Sequence, residues 1–291
     1  MASNAPAAAA TTNTLSTEHE RLAFWKECLA SPPNTPAASP PLKFGKLVLR
    51  VPTDNAARDD LIKEAHRACA GREDYVSAMR HRVAHLLETQ PIFWARVWPA
   101  GLCLAHWLLS DGGRQLVARR AVLELGTGLG PGAIAAALAG ATRVVATDIE
   151  AKALMFVAAS AHDNGVQRSV RTAAWDWNDS PPAKLDAPYD VVLAGDVLYQ
   201  DEHAREISAR LDQLLKPGGI VVFSDSLERP YRDAHRSDLR SRLESAGYEL
   251  RGCRDMDVRD VDFEARTGLA AGDRAQMLLF SRPFAAPPRR P

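Results

Sequence analysis

Val122-Leu-Glu-Leu-Gly-Thr-Gly-Leu-Gly130 is answered, 18 residues after its last glycine, by Asp148 at the end of Val144-Val-Ala-Thr-Asp148. Each segment is a short apolar run ending in a carboxylate, and the first continues into three alternating glycines. An apolar run of this length reads as a buried strand, and a glycine-rich turn behind it makes left-handed bends at no steric cost. Bare backbone there can approach a ligand closely, with a helix starting just behind. The second run places an acid where it can meet ribose hydroxyls, and the gap is close to the roughly 20 residues needed for one helix and one strand. The layout is that of an α/β sheet holding an adenosyl group.

The 291 residues carry 46% hydrophobic and 25% charged side chains, an ordinary globular composition with a core that needs no staples. Lys plus Arg equals Asp plus Glu at 36 each, so the net charge of +0 points to neither nucleic acid nor an anionic membrane. Cys28, Cys69, Cys103 and Cys253 have no CxxC spacing, which argues against zinc and disulfide frameworks and fits a reducing compartment. The longest apolar stretches are far short of a bilayer span. Residues 1–42 are expected to be disordered around a short helix at Leu15–Leu29, since residues 2–14 are Ala, Thr, Asn and Ser but for Pro6, and residues 31–41 hold five prolines. A transit peptide is the alternative. Its arginine-rich helix is poorly matched, because Glu18 and Glu20 precede the first basic residue, Arg21. Residues 283–291 read as a flexible tail.

Between these ends, 43–282 reads as one domain, with a strand and helices over 43–110 and the α/β core over 120–282. Residues 46–52 suit a short strand. Residues 56–89 suit helix, with Leu61, Ile62, Ala65, His66 and Cys69 on one face. An apolar helix over 101–110 is expected to stop at Asp111-Gly112-Gly113. Strands are then expected at 121–125, 143–148, near 169–173, 190–195, 220–223, 248–253 and 276–281. Helices are expected near 131–139, 150–164, 203–215 and 235–246, and Lys216-Pro-Gly-Gly219 reads as a turn. Such alternation predicts a Rossmann-like, seven-stranded, mostly parallel sheet with helices on both faces and the last strand antiparallel. Ligands meet such sheets at the carboxyl ends of the strands, where Glu124, Asp148, Trp175–Trp177 and Asp196 fall.

NAD is the rival ligand, because Gly128, Gly130 and Ala133 fit a permissive GxGxxA. The better register puts Glu124 two residues before Gly126, where a pyrophosphate would dislike the carboxylate and a zwitterionic sulfonium ligand would tolerate it. His81 and His85 lie one helical turn apart, but a pair without a third ligand reads as a helix face, so no metal is expected. The charged run Glu228–Arg242 reads as a solvated face, with a basic docking edge as the alternative.

With these residues in view, the chain resembles the seven-β-strand, S-adenosylmethionine-dependent methyltransferases, and within them methyltransferase family 16, rich in protein-lysine methyltransferases. The resemblance spans roughly 91–225. It rests on Glu124-x-Gly-x-Gly-x-Gly130, on Asp196-Val-Leu-Tyr199 as a (D/E)xx(Y/F) signature, and on Phe93-Trp-Ala-Arg-Val-Trp-Pro-Ala-Gly101. This last segment is most like that of the electron-transfer-flavoprotein β-subunit lysine methyltransferases and their bacterial relatives.

The resemblance implies S-adenosylmethionine as cofactor, contacted by Trp98, Glu124, Gly126, Thr127, Gly128, Gly130, Asp148, Ile149, Asp176, Trp177 and Gly195. Asp176-Trp177 matches an Asp-Trp beside the adenine. Trp175 and Trp177 should point apart, and Trp177 is the one taken to face the ring. Asn178 departs from the glycine common in lysine-methylating relatives. For catalysis it implies Asp196, at the acceptor amine or the methionine end of the cofactor, and Tyr199, lining a lysine channel. The expected activity is N-methylation of a lysine presented by a protein, by a cytoplasmic monomer that engages neither nucleic acid nor membrane. Open alternatives are a small-molecule N-methyltransferase, a non-catalytic cofactor-binding module, and a mitochondrial location.

Overall fold

The computed structural model describes residues 42–44, 47–52, 64–75, 77–79, 81–82, 93–227, 232–257 and 274–284. The expected helix at Leu15–Leu29, the other features of residues 1–40, and most of the tail lie outside these residues, as do Leu61, Ile62 and His85. Two compact units emerge, one taking in Pro52–Ala95, the other Pro41–Val51 and Arg96–Pro291. In the first, a helical stretch over 64–69 buries Ala65, His66 and Cys69, and His66 Nδ1 lies 2.8 Å from the Tyr75 hydroxyl. Phe93–Ala95, with Trp94 in its centre, forms a single 3-10 turn.

The second unit opens with a hairpin, β1 (Leu42–Phe44) and β2 (Leu47–Leu49). Then come α1 (Pro99–Leu109), α2 (Asp111–Val117), β3 (Ala121–Leu125), α3 (Pro131–Leu138), β4 (Arg143–Asp148), α4 (Ala151–Asp163) and β5 (Val170–Ala174). The second half runs β6 (Tyr189–Gly195), α5 (His203–Leu214), β7 (Leu215–Ser226), α6 (Arg232–Ser245), β8 (Glu249–Asp257) and β9 (Arg274–Ser281). The seven-stranded sheet has the order β5-β4-β3-β6-β7-β9-β8. β5, β4, β3, β6 and β7 are parallel, and β9 runs antiparallel between β7 and β8. This is the expected Rossmann-like sheet. The chain winds outward from β3 in one direction, then returns to start β6 on β3's other side. That reversal opens a crevice beyond the strand ends.

Apolar residues on the two faces of β3 serve two cores. Val122 packs with α1 and α3, which contribute Leu102, Leu104, Ala133 and Ile134, while Leu123 and Leu125 pack with Ile207 and Leu211 of α5 and Leu239 and Leu243 of α6. The hairpin is tied to α4 by side chains acting as a strand partner. Asn164 accepts the Val48 N–H (2.9 Å) and donates to the Val48 carbonyl (2.5 Å), and Ser160 Oγ accepts the Arg50 N–H (2.8 Å).

Three sequence expectations need correction. Asp111-Gly112-Gly113 does not end the helical region but opens α2, after a break confined to Ser110, whose extended backbone (ψ 167) interrupts the hydrogen-bond ladder. Gly113 permits this: a Cβ there would collide with the Trp107 carbonyl and the Leu108 backbone. Lys216-Pro-Gly-Gly219 is an excursion within β7, since Leu215 pairs with Tyr189 and Ile220 already pairs with Val191. The run around α6 is not a solvated face at Arg232 and Arg236, which are 2% and 6% exposed because both turn inward to buried carboxylates.

Candidate active site

Register brings the candidate residues to one edge. Glu124 pairs with Ala146 and Leu193, and Gly195 pairs with Ser224. Two residues on from the first of those pairs, Gly126 just past β3, Asp148 and Gly195 at the ends of β4 and β6, and Ser224 near the end of β7 therefore stand at one level. Beyond β3 the chain turns through Gly126 (φ 57), Gly128 (φ 52) and Gly130 (φ 80), three left-handed positions that non-glycine residues occupy only at a cost. Gly130 is the N-cap of α3, and Pro131 follows at the first helical position, where its fixed φ suits a helix start.

Glu124 braces this turn from beneath. Its Oε2 accepts the Thr127 hydroxyl and the Ala133 N–H (2.8 Å) at the start of α3. Gly132 passes so close that a Cβ would collide with Oε1. Burial pushes the Glu124 carboxyl up to about 7 against the pull of these donors. Asp148 sits beside the turn: Oδ2 accepts the Gly128 N–H (2.7 Å) and Oδ1 the Glu150 N–H (2.9 Å), while burial raises its pKa. Thr127 donates its N–H to the Thr147 carbonyl (2.8 Å), locking the turn to β4. The next side chain, Ile149, is 65% exposed, an apolar surface beside a buried acid at a strand end.

Trp175 and Trp177, expected to point apart, both meet the core between the sheet and α5–α6. Trp175 is buried in the α5–α6 core. Trp177 lies against the glycine turn, since a Cβ on Gly126 would stand 3.2 Å from its Cζ3. Its indole N–H donates to Glu206 (3.3 Å), and its ring meets His203 edge-on at 5.2 Å. Tyr199 meets the other side of His203 at 4.5 Å. Burial lowers the His203 pKa, and its Nδ1–H donates to the Val197 carbonyl (2.6 Å), which fixes Nε2 as the unprotonated nitrogen of the neutral ring. Burial raises the Tyr199 pKa, helped by the Asp148 charge and opposed by Arg232. Asp176 spends one oxygen locally, accepting the Asn178 N–H (2.9 Å) in a turn that carries the chain from Trp177 toward Asp179.

Asp196 follows β6 in a left-handed conformation (φ 60), with its N–H donated to the Ser224 carbonyl (2.8 Å). Its Oδ2 accepts the Ala100 N–H (3.3 Å) at the start of α1, two residues after Trp98. Trp98 is half-buried, with the Arg96 guanidinium 6.0 Å from its ring centre. Gly195 makes the approach of α1 possible, since a Cβ there would stand 3.2 Å from Gly101 Cα. The other Asp196 oxygen pairs with Arg232, which also reaches Asp225 Oδ1 (2.9 Å). Asp225 Oδ2 pairs with Arg236 Nη1 (2.7 Å), and burial still pushes the Asp225 carboxyl up to about 6. Sequence reasoning missed Asp225, Arg232 and Arg236. The signal was there: positions 232, 236, 239 and 243 fall on one helical face, and the last two are leucines.

A sheet of this order, three left-handed glycines beside a strand-end acid, an exposed apolar side chain and a covering indole form the site of a nucleoside-bearing cofactor. Together they define a seven-strand methyltransferase fold. The chain belongs to the family described as lysine methyltransferase, whose model matches residues 89–236. It is 30% identical over 179 residues to the protein N-lysine methyltransferase METTL21A of Danio rerio, a match covering 60% of this chain and 80% of that protein. It is 28% identical over 143 residues to the electron transfer flavoprotein beta subunit lysine methyltransferase of Mus musculus, covering 49% of this chain and 53% of that one. The matched stretch thus spans only about half of the flavoprotein-modifying relative. Among solved structures, a candidate RNA methyltransferase of Pyrococcus horikoshii superposes with a TM-score of 0.50 at 15% identity, covering 67% of this chain and 92% of that one, a likeness of fold alone. The protein is a methyltransferase, and its cofactor is S-adenosylmethionine. The residues fit that group: Asp148 and Ile149 suit ribose and adenine, and the turn leaves bare backbone for the remainder.

Proposed function

We propose that the chain methylates the ε-amine of a lysine side chain in a protein substrate. The supporting observation is the aromatic cluster of Trp177, His203 and Tyr199 beside the glycine turn. The names of the METTL21A and flavoprotein-modifying relatives agree with this acceptor. The bound cofactor supplies an electrophilic methyl group on a sulfonium. What remains for the protein is to deliver a neutral amine in line with it, about 3 Å away.

Deprotonating a lysine at neutral pH costs roughly 4–5 kcal/mol, because its pKa is near 10.4. An apolar aromatic slot lowers that cost by disfavouring the ammonium. Tyr199 remains a neutral phenol, since burial pushes its proton loss further up. His203 is held neutral and cannot add a second cation to the slot. Asp196, at the end of β6 with one oxygen on the Ala100 N–H, orients the amine while the proton departs to water.

The test is to incubate the protein with methyl-labelled cofactor in a lysate lacking it, then identify the labelled species. N-methyllysine in one or a few protein bands is expected. Label confined to small molecules or nucleic acid would refute the proposal.

A further inference from the structure

Four charged side chains gather behind Asp196. Arg232 joins Asp196 to Asp225, and Arg236 joins Asp225 to the Ser226 carbonyl (2.7 Å) and to Asp233 at the surface. The side chains of Asp196, Asp225, Arg232 and Arg236 are between 2% and 7% exposed. Burying charges in this way is no general route to stability, since apolar replacements of such clusters are often neutral or better. The cluster ends at Asp196, the carboxylate assigned above to orient the acceptor, and its two negative and two positive charges cancel.

Cancellation matters for the chemistry. A bare carboxylate within a few ångströms of an amine favours the ammonium, which has no lone pair to donate. Without the carboxylate, the amine loses its guide. We propose that Arg232 is a positioning residue that neutralises Asp196, leaving an oriented acceptor oxygen without a net charge to hold the incoming amine protonated. This role rests on the amine acceptor proposed above. Among the described residues, the other charged or titratable groups on the elements around Asp196 are Tyr199 on the loop after β6, His203 at the start of α5, Asp148 at the end of β4, and His235 of α6, which pairs with the exposed Asp201 (2.8 Å). Only Arg232 bonds to the Asp196 carboxylate as a cation among the described residues.

The test needs no acceptor. Sinefungin, a cofactor analogue with a primary amine where the transferred methyl would stand, is compared with S-adenosylhomocysteine by calorimetry between pH 6 and 10. Arg232→Gln should raise the preference for sinefungin by about tenfold and move the pH at which that preference fades up by about one unit. Arg232→Lys, which keeps the charge, should retain the wild-type preference. Asp196→Asn added to Arg232→Gln should abolish the gain. Should Arg232→Gln alone fail to bind S-adenosylhomocysteine, Arg232→Met, which fills the same buried space without charge, should show the same gain. An unchanged sinefungin preference in a variant that binds S-adenosylhomocysteine normally would overturn the assignment, as would equal shifts for Lys and Gln at 232. Failure here counts against Arg232 alone, whereas failure of lysate labelling counts against the lysine acceptor.

Discussion

Glu124 carries the clearest pH signature of any single side chain. Its folded pKa of about 7 lies above the ordinary 4.5, so the folded state holds a proton that the unfolded chain releases. The stability this group contributes is present below pH 4.5 and is lost as pH rises through 7. Glu124→Gln, which can still accept the Ala133 N–H, should match the wild type near pH 4.5. It should exceed it by about 3 kcal/mol at pH 8 in the absence of cofactor, measured by urea unfolding at both values. Equal stabilities at pH 8 would show that the carboxylate is charged in place at no cost. Asp148 should behave differently, because both its oxygens face the glycine turn and the chain after β4. Asp148→Ala should weaken S-adenosylhomocysteine by tenfold or more, about 1.4 kcal/mol, the strength expected of a hydrogen bond to a charged group. An unchanged dissociation constant in the folded variant would assign the ribose to another group. At this scale the sequence was legible in placement where a residue type and a strand end coincide, as with Asp148 at the end of β4 and Asp196 just after β6. The helical-face signal at Arg232 and Arg236 was easily passed over, because arginine is almost always a surface residue and only the buried carboxylates they meet turn them inward.

Elements were legible wherever the backbone signal was local. β4 spans 143–148 as its apolar run predicts, and α3 begins at the Gly-Pro step. The junction of α1 and α2 escaped because two consecutive glycines read as a stop, whereas here they serve different purposes. Gly113 packs against the Trp107 carbonyl, but Gly112 meets only the Trp107 indole nitrogen at 4.0 Å. Gly113→Ala should therefore destabilise by about 2 kcal/mol or more, while Gly112→Ala should be neutral or stabilise by up to about 1 kcal/mol. Thermal unfolding of the pair decides it: equal effects would mean that the close contact at Gly113 relaxes without cost. The excursion in β7 was hidden for a related reason. Lys-Pro-Gly-Gly is turn chemistry, and only the pairing partners reveal that β7 resumes against the same neighbour, β6, after a shift of register.

Across the molecule, the candidate cofactor residues Trp98 to Gly195 all belong to one of the two compact units. Ligand binding should stabilise that unit by mass action alone. S-adenosylhomocysteine at one hundred times its dissociation constant should add about 2.7 kcal/mol to unfolding, seen as a raised melting temperature, while NAD at the same concentration should add nothing. A shift with NAD and none with S-adenosylhomocysteine would reverse the assignment of the glycine turn.

The same unit carries a short two-stranded hairpin, which would ordinarily leave a ladder of unmet N–H and C=O groups along its outer side. Such a ladder recruits any extended segment that drifts by, including one from another copy of the chain. Asn164 occupies both backbone groups of Val48 with a single side-chain amide, and Ser160 takes the next N–H, at Arg50. Two polar residues at the end of a helix thus act as a plug against intermolecular sheet growth. The hairpin can remain at the margin of the fold without becoming a seed for fibrils.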